Sequence, residues 1–242
     1  MTNLLFRDDA YLRTCTATVE SATVEGITLN QTIFYPTGGG QPGDTGWLKW
    51  DGGTCRIADT RKGEGPDSVL HIPEAGAALP PVGTTVIAEL DWDRRYAHMK
   101  MHTALHLLCA LVPGSVTGGQ VGADKSRLDF DIPGAAVDKD DLTLRLNTLI
   151  EANHDVTADW ITDEQMTAQP DLVRTLSVKP PMGQGRVRLI QVANTDRQPC
   201  GGTHVKNIGE IGRLTVTKIE NKGKQNRRIS IAFEDAAVSA VA

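Results

Sequence analysis

The feature that most constrains the fold is a change of hydrophobic pattern near Asp91. Before it, short stretches rich in β-branched residues alternate with Gly-rich and Pro-rich turns, whereas residues 93–112 read as one long helix. Such short strands predict a small β-barrel, and helices interspersed with strands predict an α+β layer domain. We therefore expect an α+β protein with a barrel over 1–91 and an α/β layered two-layer sandwich over 92–242.

The individual elements follow from the same patterns. In the first part, strands are predicted at 15–19, 23–29, 46–50, 54–59, 68–72 and 84–90. Asp91 or Asp93 is expected to cap the long helix. Further on, leucines and an isoleucine on one face predict a second helix over about 139–153, and strands are predicted at 156–161, 186–192, 211–220 and 228–233.

Charge, hydropathy and cysteine usage exclude several classes of protein. A net charge of −5 argues against a protein that coats nucleic acid nonspecifically. Apolar runs are far shorter than the roughly 20 residues of a membrane span, and the first residues lack the pattern of a secretory signal, so a cytoplasmic protein without a membrane partner is expected. Cys15, Cys55 and Cys109 are expected to be buried thiols, with no disulfide framework.

A glycine-rich loop interrupts the predicted barrel. Residues 36–46 read Pro-Thr-Gly-Gly-Gly-Gln-Pro-Gly-Asp-Thr-Gly, with five glycines. The loop is not a phosphate-binding P-loop, because no Gly-Lys-Ser/Thr follows it. Its composition alone favours a structural turn over a binding loop.

Two pairs of potential metal ligands stand far apart in the chain. His102 and His106 are four residues apart on the long helix, so both imidazoles project from one face about 6 Å apart. Cys200 and His204 flank Gly-Gly-Thr, which lets a loop fold tightly around an ion. Zinc accepts this mixture of thiolate and imidazole better than magnesium or calcium. The four residues together predict one Zn²⁺ per chain.

Other histidines and other chemistries are less favoured. His98 lies one turn before His102, but the basic residues around it indicate a solvated or phosphate-facing position. His71 and His154 read as ordinary surface or hydrogen-bonded histidines. Thr103 stands where a zinc peptidase of the His-Glu-x-x-His type needs its glutamate. A cysteine–histidine nucleophilic hydrolase would leave the histidine pair on the helix without a role.

Several sequence blocks resemble a known family. They are His102-Thr-Ala-Leu-His-Leu-Leu108, Gln120-Val-Gly, Asp124-Lys-Ser-Arg-Leu-Asp-Phe130, Cys200-Gly-Gly-Thr-His-Val205, Gly209-Glu-Ile-Gly212, Arg227-Arg-Ile229 and the glycine-rich segment from Thr32 to Gly46. In order and spacing they resemble the alanyl-tRNA editing proteins, in their medium-length stand-alone form, and the editing domain of alanyl-tRNA synthetase. The resemblance covers nearly the whole chain.

The resemblance implies a hydrolase that removes serine, and often glycine, from mischarged tRNA(Ala) without ATP, as a step in translation fidelity. It makes His102, His106, Cys200 and His204 the zinc ligands. Gln120, in the pocket, and Thr32, which would recognise the serine hydroxyl, are the residues implied in catalysis and substrate contact. The other implied substrate contacts are Gly38, Gly39, Gly40 and Gln41 of the loop and the basic residues Lys222, Lys224, Arg227 and Arg228.

Several alternatives stay open. Zinc would act either on the reaction or only as a positioning ion, and no general base can be named, although Asp196 is a weak candidate. Arg94 and Arg95 would be helpers in phosphate contact. A zinc-stabilised RNA-binding module without catalysis, or editing in the manner of threonyl-tRNA synthetase, would use a similar site. Oligomeric state cannot be assigned from the sequence.

Overall fold

The computed structural model describes residues 2–132, 137–175, 182–183, 185–223 and 225–234. The chain divides into two compact units, Met1–Tyr96 and Ala97–Ala242. Within the described ranges, no helix is long and apolar enough to cross a membrane.

The first unit is built around a closed barrel with strand order β2-β3-β7-β6-β5-β8. A short parallel pair, β1 with β4, accompanies it. The strands of this unit are β1 (Asn3–Leu4), β2 (Thr14–Thr23), β3 (Gly26–Leu29), β4 (Gln31–Thr32), β5 (Gly46–Trp50), β6 (Gly53–Lys62), β7 (Val69–Pro73) and β8 (Thr85–Leu90). The N-terminal β-barrel predicted from the sequence is therefore confirmed.

Alternation of apolar and polar residues explains the barrel. In β8, Val86, Ala88 and Leu90 are buried, while the residues between them are more exposed. Because successive side chains of a strand point to opposite faces, one face of each strand fills the interior. Apolar side chains from several strands, such as Val19, Ile27 and Leu48, pack in that core.

Helix α1 (Trp92–Leu111) follows β8 directly. The carboxylate of Asp91 accepts a hydrogen bond from the backbone N–H of Arg94 at 3.4 Å, so Asp91 caps the helix as expected. On the first turn of the helix, Arg95 is fully buried and forms an ion pair with Asp44. Its guanidinium also donates to the carbonyl oxygens of Ala10 and Ile33. The expectation that Arg95 helps to contact phosphate is wrong, because these partners hold its guanidinium inside the first unit.

The described residues of the second unit form two antiparallel sheets with strand orders β14-β15-β10-β9 and β11-β12-β13. Their strands are β9 (Ser115–Gln120), β10 (Lys125–Asp131), β11 (Val156–Thr162), β12 (Arg186–Val192), β13 (Asp196–Pro199), β14 (Leu214–Asn221) and β15 (Asn226–Phe233). Two further helices are α2 (Lys139–Glu151) and α3 (Asp163–Thr167). Sheets and helices in one unit confirm the predicted α+β class.

Helix α2 covers the outer edge of β14. The side-chain amide of Asn147 donates to the carbonyl oxygen of Leu214 at 2.8 Å and accepts from the N–H of the same residue at 2.9 Å. The hydroxyl of Thr143 accepts from the N–H of Val216 at 3.1 Å. These side chains satisfy backbone groups of an edge strand that would otherwise require another strand or water.

Candidate functional site

Four potential ligands come together in the second unit. Donor atoms of His102, His106, Cys200 and His204 all lie within 4.8 Å of one another. The three histidines are buried, and Cys200 is partly buried. The cluster contains the residues that the sequence predicted as metal ligands, taken from two segments about one hundred positions apart.

The distances within the cluster fit a tetrahedral zinc site. The sulfur of Cys200 lies 3.5 Å from Nε2 of His102 and 3.3 Å from Nε2 of His204. Bonds of about 2.3 Å to sulfur and about 2.0 Å to nitrogen, at tetrahedral angles, place sulfur and nitrogen about 3.5 Å apart. One thiolate with imidazoles is also a donor set that zinc prefers.

The Cys200 loop is held in shape by Arg188 of β12. Its Nη1 group donates to the carbonyl oxygens of Cys200 and Gly202, at 3.2 and 2.9 Å. The backbone N–H of Gly202 lies 3.4 Å from the sulfur of Cys200 and donates to it. The N–H of Cys200 in turn donates to the carbonyl of Arg188 at 3.1 Å. These bonds fix where the thiol points before any ion binds.

Thr103 orients the imidazole of His204. Its hydroxyl lies 2.9 Å from the carbonyl oxygen of Met99 and donates to it, so the hydroxyl oxygen acts as an acceptor toward Nδ1 of His204 at 3.1 Å. Nδ1 of His204 is therefore the protonated nitrogen, and Nε2 is the nitrogen that faces Cys200. The threonine found in place of a catalytic glutamate thus supports a ligand.

A carboxylate lies behind His106. Oδ2 of Asp196 is 3.2 Å from Nδ1 of His106 and accepts a hydrogen bond of 2.7 Å from the amide of Gln198. Burial lowers the pKa of His106, but the hydrogen bond to Asp196 and the interaction with Cys200 outweigh it and raise the pKa to about 9. Asp196, a weak candidate for a general base, is therefore engaged with a ligand.

The histidines change the acidity of the thiol among them. Burial raises the pKa of Cys200, but the charge of His102 and the hydrogen bonds of the histidines outweigh it and hold the pKa well below its usual range. Burial also holds the pKa of His204 well below its usual range. The thiolate of Cys200 and the neutral imidazole of His204 are the states that a metal ion requires, whereas His106 would have to release a proton on binding an ion.

His98 differs from its expected environment. It is 1% exposed, so the expectation of a solvated or phosphate-facing side chain is wrong. Positions 95, 98, 99 and 102 follow helical spacing and are buried together. The basic residues beside His98 in the sequence therefore do not predict whether its side chain is buried or exposed.

Thr32, expected to recognise the hydroxyl of serine, lies in β4 of the first unit and is fully buried. Its hydroxyl is 2.8 Å from Nε2 of His71 and accepts a hydrogen bond of 3.0 Å from the N–H of Phe34. Nδ1 of His71 lies 2.9 Å from the carbonyl oxygen of Ile27 and donates to it. Burial lowers the pKa of His71 to about 4, so the ring is neutral and its Nε2 accepts the proton of Thr32.

The glycine-rich loop forms a tight turn in the first unit. The backbones of Gly38 and Gln41 exchange two hydrogen bonds, and Gly39 and Gly40 between them have φ of 57° and 82°. Two successive positive φ values are typical of a type I′ turn, which glycine adopts without strain. Gly39 and Gly40 are exposed at its tip, and Gln41 is buried. The structural turn favoured by composition is therefore present.

The remaining candidates that the structure describes lie along the sheet that contains β9 and β15. Gln120 is exposed at the end of β9, opposite Arg127. Arg228 donates two hydrogen bonds of 2.7 Å to Asp129, which lowers the pKa of that carboxyl. Lys222, 42% exposed, lies 3.9 Å from Glu220. Arg227 is partly buried in β15, and Lys224 lies outside the described residues.

Sequence reasoning missed the supporting role of Asp196 and Thr103. A signal for the first was present, because Asp196, Gln198 and Cys200 alternate along the chain and share one face if the segment is a strand. Such a strand is β13, with Asp196 and Gln198 buried. Thr103 is adjacent to the ligand His102 in the sequence, but this adjacency does not predict which side chain its hydroxyl contacts. Only the fold shows the contact with His204.

Two family models match separate parts of the chain. Residues 7–94 match the class II (A) tRNA synthetases. Residues 187–230 match the second additional domain of threonyl and alanyl tRNA synthetases. The second match contains Cys200 and His204 of the metal cluster.

Longer similarity is found with individual proteins. An alanyl-tRNA editing protein AlaX-M of Methanosarcina mazei is 37% identical, over 98% of this chain and 98% of its own. The AlaX-M protein of Saccharolobus solfataricus is 32% identical, over 95% and 98%. An alanine–tRNA ligase of Pyrobaculum aerophilum is 35% identical over 90% of this chain, which corresponds to 25% of the ligase.

Proposed function

Because the chain belongs to the AlaX-M alanyl-tRNA editing proteins, we propose that it hydrolyses the ester bond of tRNA(Ala) wrongly charged with serine and with glycine. The observation that carries this proposal is full-length similarity to editing proteins together with a clustered set of three histidines and one cysteine. The reaction takes place in the cytoplasm, as a step in translation fidelity, and needs no ATP.

We assign Zn²⁺, one per chain, to the cluster. His102, His106, Cys200 and His204 would hold it, and the sulfur-to-nitrogen distances of 3.5 and 3.3 Å support a tetrahedral arrangement. When bound, zinc supplies positive charge that polarises or orients the substrate. If all four side chains bind at once, no position remains for water, so positioning is the role that the ligand set favours.

The scissile bond needs little activation. It joins the amino acid to the terminal ribose of tRNA as an ester, which water attacks more readily than a peptide bond. The protein therefore has mainly to bind the ester and exclude the correct amino acid. Asp196 is not assigned the part of a base, because its carboxylate is buried against His106 and Gln198.

Selection of serine over alanine has a physical origin. A pocket for alanine rejects a slightly larger or smaller amino acid by only a few kcal/mol, so a second sieve is required. We assign hydroxyl recognition to Thr32, whose donor proton is given to His71. Its oxygen already accepts from the N–H of Phe34, which leaves one lone pair as an acceptor for a serine hydroxyl that donates. Gln120 and the turn of Gly38, Gly39, Gly40 and Gln41 are the further substrate contacts of this proposal.

The acceptor end of tRNA would be positioned by basic residues. Lys222, Lys224, Arg227 and Arg228 are the proposed contacts. Such contacts give a salt-dependent affinity and set register without reading bases. Arg228 is tied to Asp129 by two hydrogen bonds, so Lys222 is the more available cation of the two.

A panel of aminoacyl-tRNAs tests the proposal. Zinc-loaded protein is mixed, without ATP, with tRNA(Ala) carrying serine, glycine or alanine and with tRNA(Thr) carrying serine. We expect serine and glycine to be released from tRNA(Ala) faster than by spontaneous hydrolysis, while alanine is spared.

The other outcomes identify the competing functions. Protein with full zinc occupancy that releases nothing above the spontaneous rate contradicts the proposal. If that protein still binds tRNA in a salt-dependent manner, it is an RNA-binding module without catalysis. Preferential hydrolysis of serine from tRNA(Thr) would assign the chain to threonyl editing instead.

A further inference from the structure

The carboxylate behind His106 has a geometry that the proposed hydrolysis does not use. We infer that Asp196 is a positioning residue of the metal centre, whose carboxylate fixes the ring of His106 with Nε2 toward the ion and compensates the charge of the site. The inference rests on the proposed zinc site. It assigns Asp196 no contact with the substrate.

The hydrogen bond determines which nitrogen of His106 is available. Oδ2 of Asp196 lies 3.2 Å from Nδ1 of His106, and the amide nitrogen of Gln198 lies 3.1 Å from the same Nδ1. The amide donates to Oδ2 of Asp196 over a shorter distance, 2.7 Å, so we assign the proton to Nδ1, which donates it to the carboxylate. The metal-facing nitrogen is then Nε2, as it is in His204, where Thr103 accepts from Nδ1. Carboxylates in this position fix ring orientation and increase the basicity of the ligand.

The charge of Asp196 matters because the site is buried. One thiolate and three neutral imidazoles leave a divalent ion with a net single positive charge, which is costly away from water. The side chain of Asp196 has no exposed surface and would bring the total to neutrality. Thr103 orients His204 without adding charge, so only Asp196 of these two residues contributes this compensation.

The other partners of Asp196 hold the carboxylate in place. Gln198 donates to Oδ2 at 2.7 Å, and Arg174 approaches Oδ1 at 3.5 Å. The side chain of Arg174 is 40% exposed, so water screens much of its charge. These contacts also allow an alternative in which Asp196 only joins neighbouring segments, and the experiment has to separate the two.

The test compares Asp196→Asn with Asp159→Asn, a matched control whose carboxylate is 68% exposed in β11. Zinc affinity is measured by competition with a chelator of known affinity, and thermal unfolding is followed with and without zinc. We expect Asp196→Asn to bind zinc about 10 to 100-fold more weakly, and Asp159→Asn to bind as the wild type does. The gain in melting temperature on adding zinc should shrink only in Asp196→Asn.

Two results would overturn the inference. One is a zinc affinity of Asp196→Asn within twofold of the control. The other is equal destabilisation of the zinc-free and zinc-bound protein, which identifies Asp196 as a structural link. If Asp196→Asn does not fold, Asp196→Glu keeps the charge but moves the oxygen, and zinc should leave it faster. An unchanged release rate would likewise overturn the inference.

These readouts are independent of the proposed reaction. Weaker zinc binding in Asp196→Asn, with wild-type protein that deacylates no tRNA, supports the positioning role and contradicts editing. Deacylation by the wild type, with unchanged zinc affinity in the variant, supports editing and contradicts the positioning role.

Discussion

The hydroxyl of Thr32 donates its proton to Nε2 of His71 at 2.8 Å, and both side chains are fully buried. The direction of this bond follows from the other ring nitrogen, which donates to the carbonyl of Ile27. Thr32, which we assign to substrate recognition, therefore also forms a buried hydrogen bond within the first unit.

Replacing Thr32 by valine should affect specificity and stability together. We expect Thr32→Val to reduce serine release much more than glycine release, because only serine offers a hydroxyl. Loss of the bonds to His71 and Phe34 should also lower the free energy of unfolding by about 1–3 kcal/mol. Thr32→Ser, which keeps the hydroxyl, is the control for both measurements. Equal loss of serine and glycine turnover would contradict the recognition role.

The stability of the protein should depend on the neutral state of His71. Burial lowers the pKa of His71 to about 4 in the folded protein. In the unfolded chain the imidazole has its ordinary pKa near 6.5, so between pH 6.5 and 4 only the unfolded chain binds the proton. The stabilisation is thus complete above pH 6.5 and is lost as the pH falls to about 4, by about 3 kcal/mol. Urea unfolding of the wild type and of His71→Gln, with zinc present, measures the free energy of unfolding as a function of pH. Profiles of equal slope between pH 6.5 and 4 would contradict the prediction.

The buried ion pair of Asp44 and Arg95 should contribute strongly to the first unit. Nε of Arg95 lies 2.9 Å from Oδ2 of Asp44, and neither side chain is more than 1% exposed. Asp44→Asn leaves the guanidinium without its counter-charge, and we expect a loss of about 3–5 kcal/mol in unfolding free energy. Glu89→Gln, which breaks an exposed pair with Lys49, should cost at most about 1 kcal/mol. Similar losses in both variants would refute this assignment.

Removal of the thiol should remove the metal and the activity together. We expect Cys200→Ala to hold much less than one zinc per chain and to lose deacylation, because imidazoles alone bind the ion more weakly. Zinc content per chain, measured on purified protein, checks this. Cys15→Ala, in β2 of the barrel, is the control and should keep full zinc content. Unchanged zinc content in Cys200→Ala would remove Cys200 from the coordination sphere.

Salt dependence should distinguish the basic residues. If Lys222 contacts phosphate, Lys222→Gln should reduce the slope of log affinity against log salt by about 1. Arg228→Gln should in addition lower stability, because Asp129 loses its two hydrogen bonds from Arg228. Lys49→Gln, at a salt bridge in the first unit, is the control. Equal slopes for Lys222→Gln and Lys49→Gln would exclude the contact.

The local sequence pattern was sufficient to predict most of the helices and strands. Short stretches separated by Gly-rich and Pro-rich turns predicted the barrel strands, and helical spacing with a capping aspartate predicted α1 almost to its ends. Strand β9 was missed because Gly118 and Gly119 disfavour a strand, and its pairing with β10 determines its conformation. The buried Ser126, Leu128 and Phe130 of β10 do alternate, so that strand could have been recognised.

The metal-ligand residues of the site could be predicted from the sequence, but the hydrogen-bond and ion-pair partners of individual side chains could not. His102, His106, Cys200 and His204 combine familiar spacings with the right donor atoms. Arg95 was misjudged because its partner Asp44 is 51 residues away. Local sequence predicts a solvated guanidinium, because a carboxylate partner distant in the chain is identified only from the fold.

Asn147 has a consequence for self-association. Its amide occupies both backbone groups of Leu214, where β14 would otherwise accept a further strand. A strand from another copy of the chain would have to displace the amide and α2 before it could extend the sheet. One polar side chain on a helix thus protects this edge of the sheet from the edge-to-edge pairing by which exposed strands nucleate aggregates.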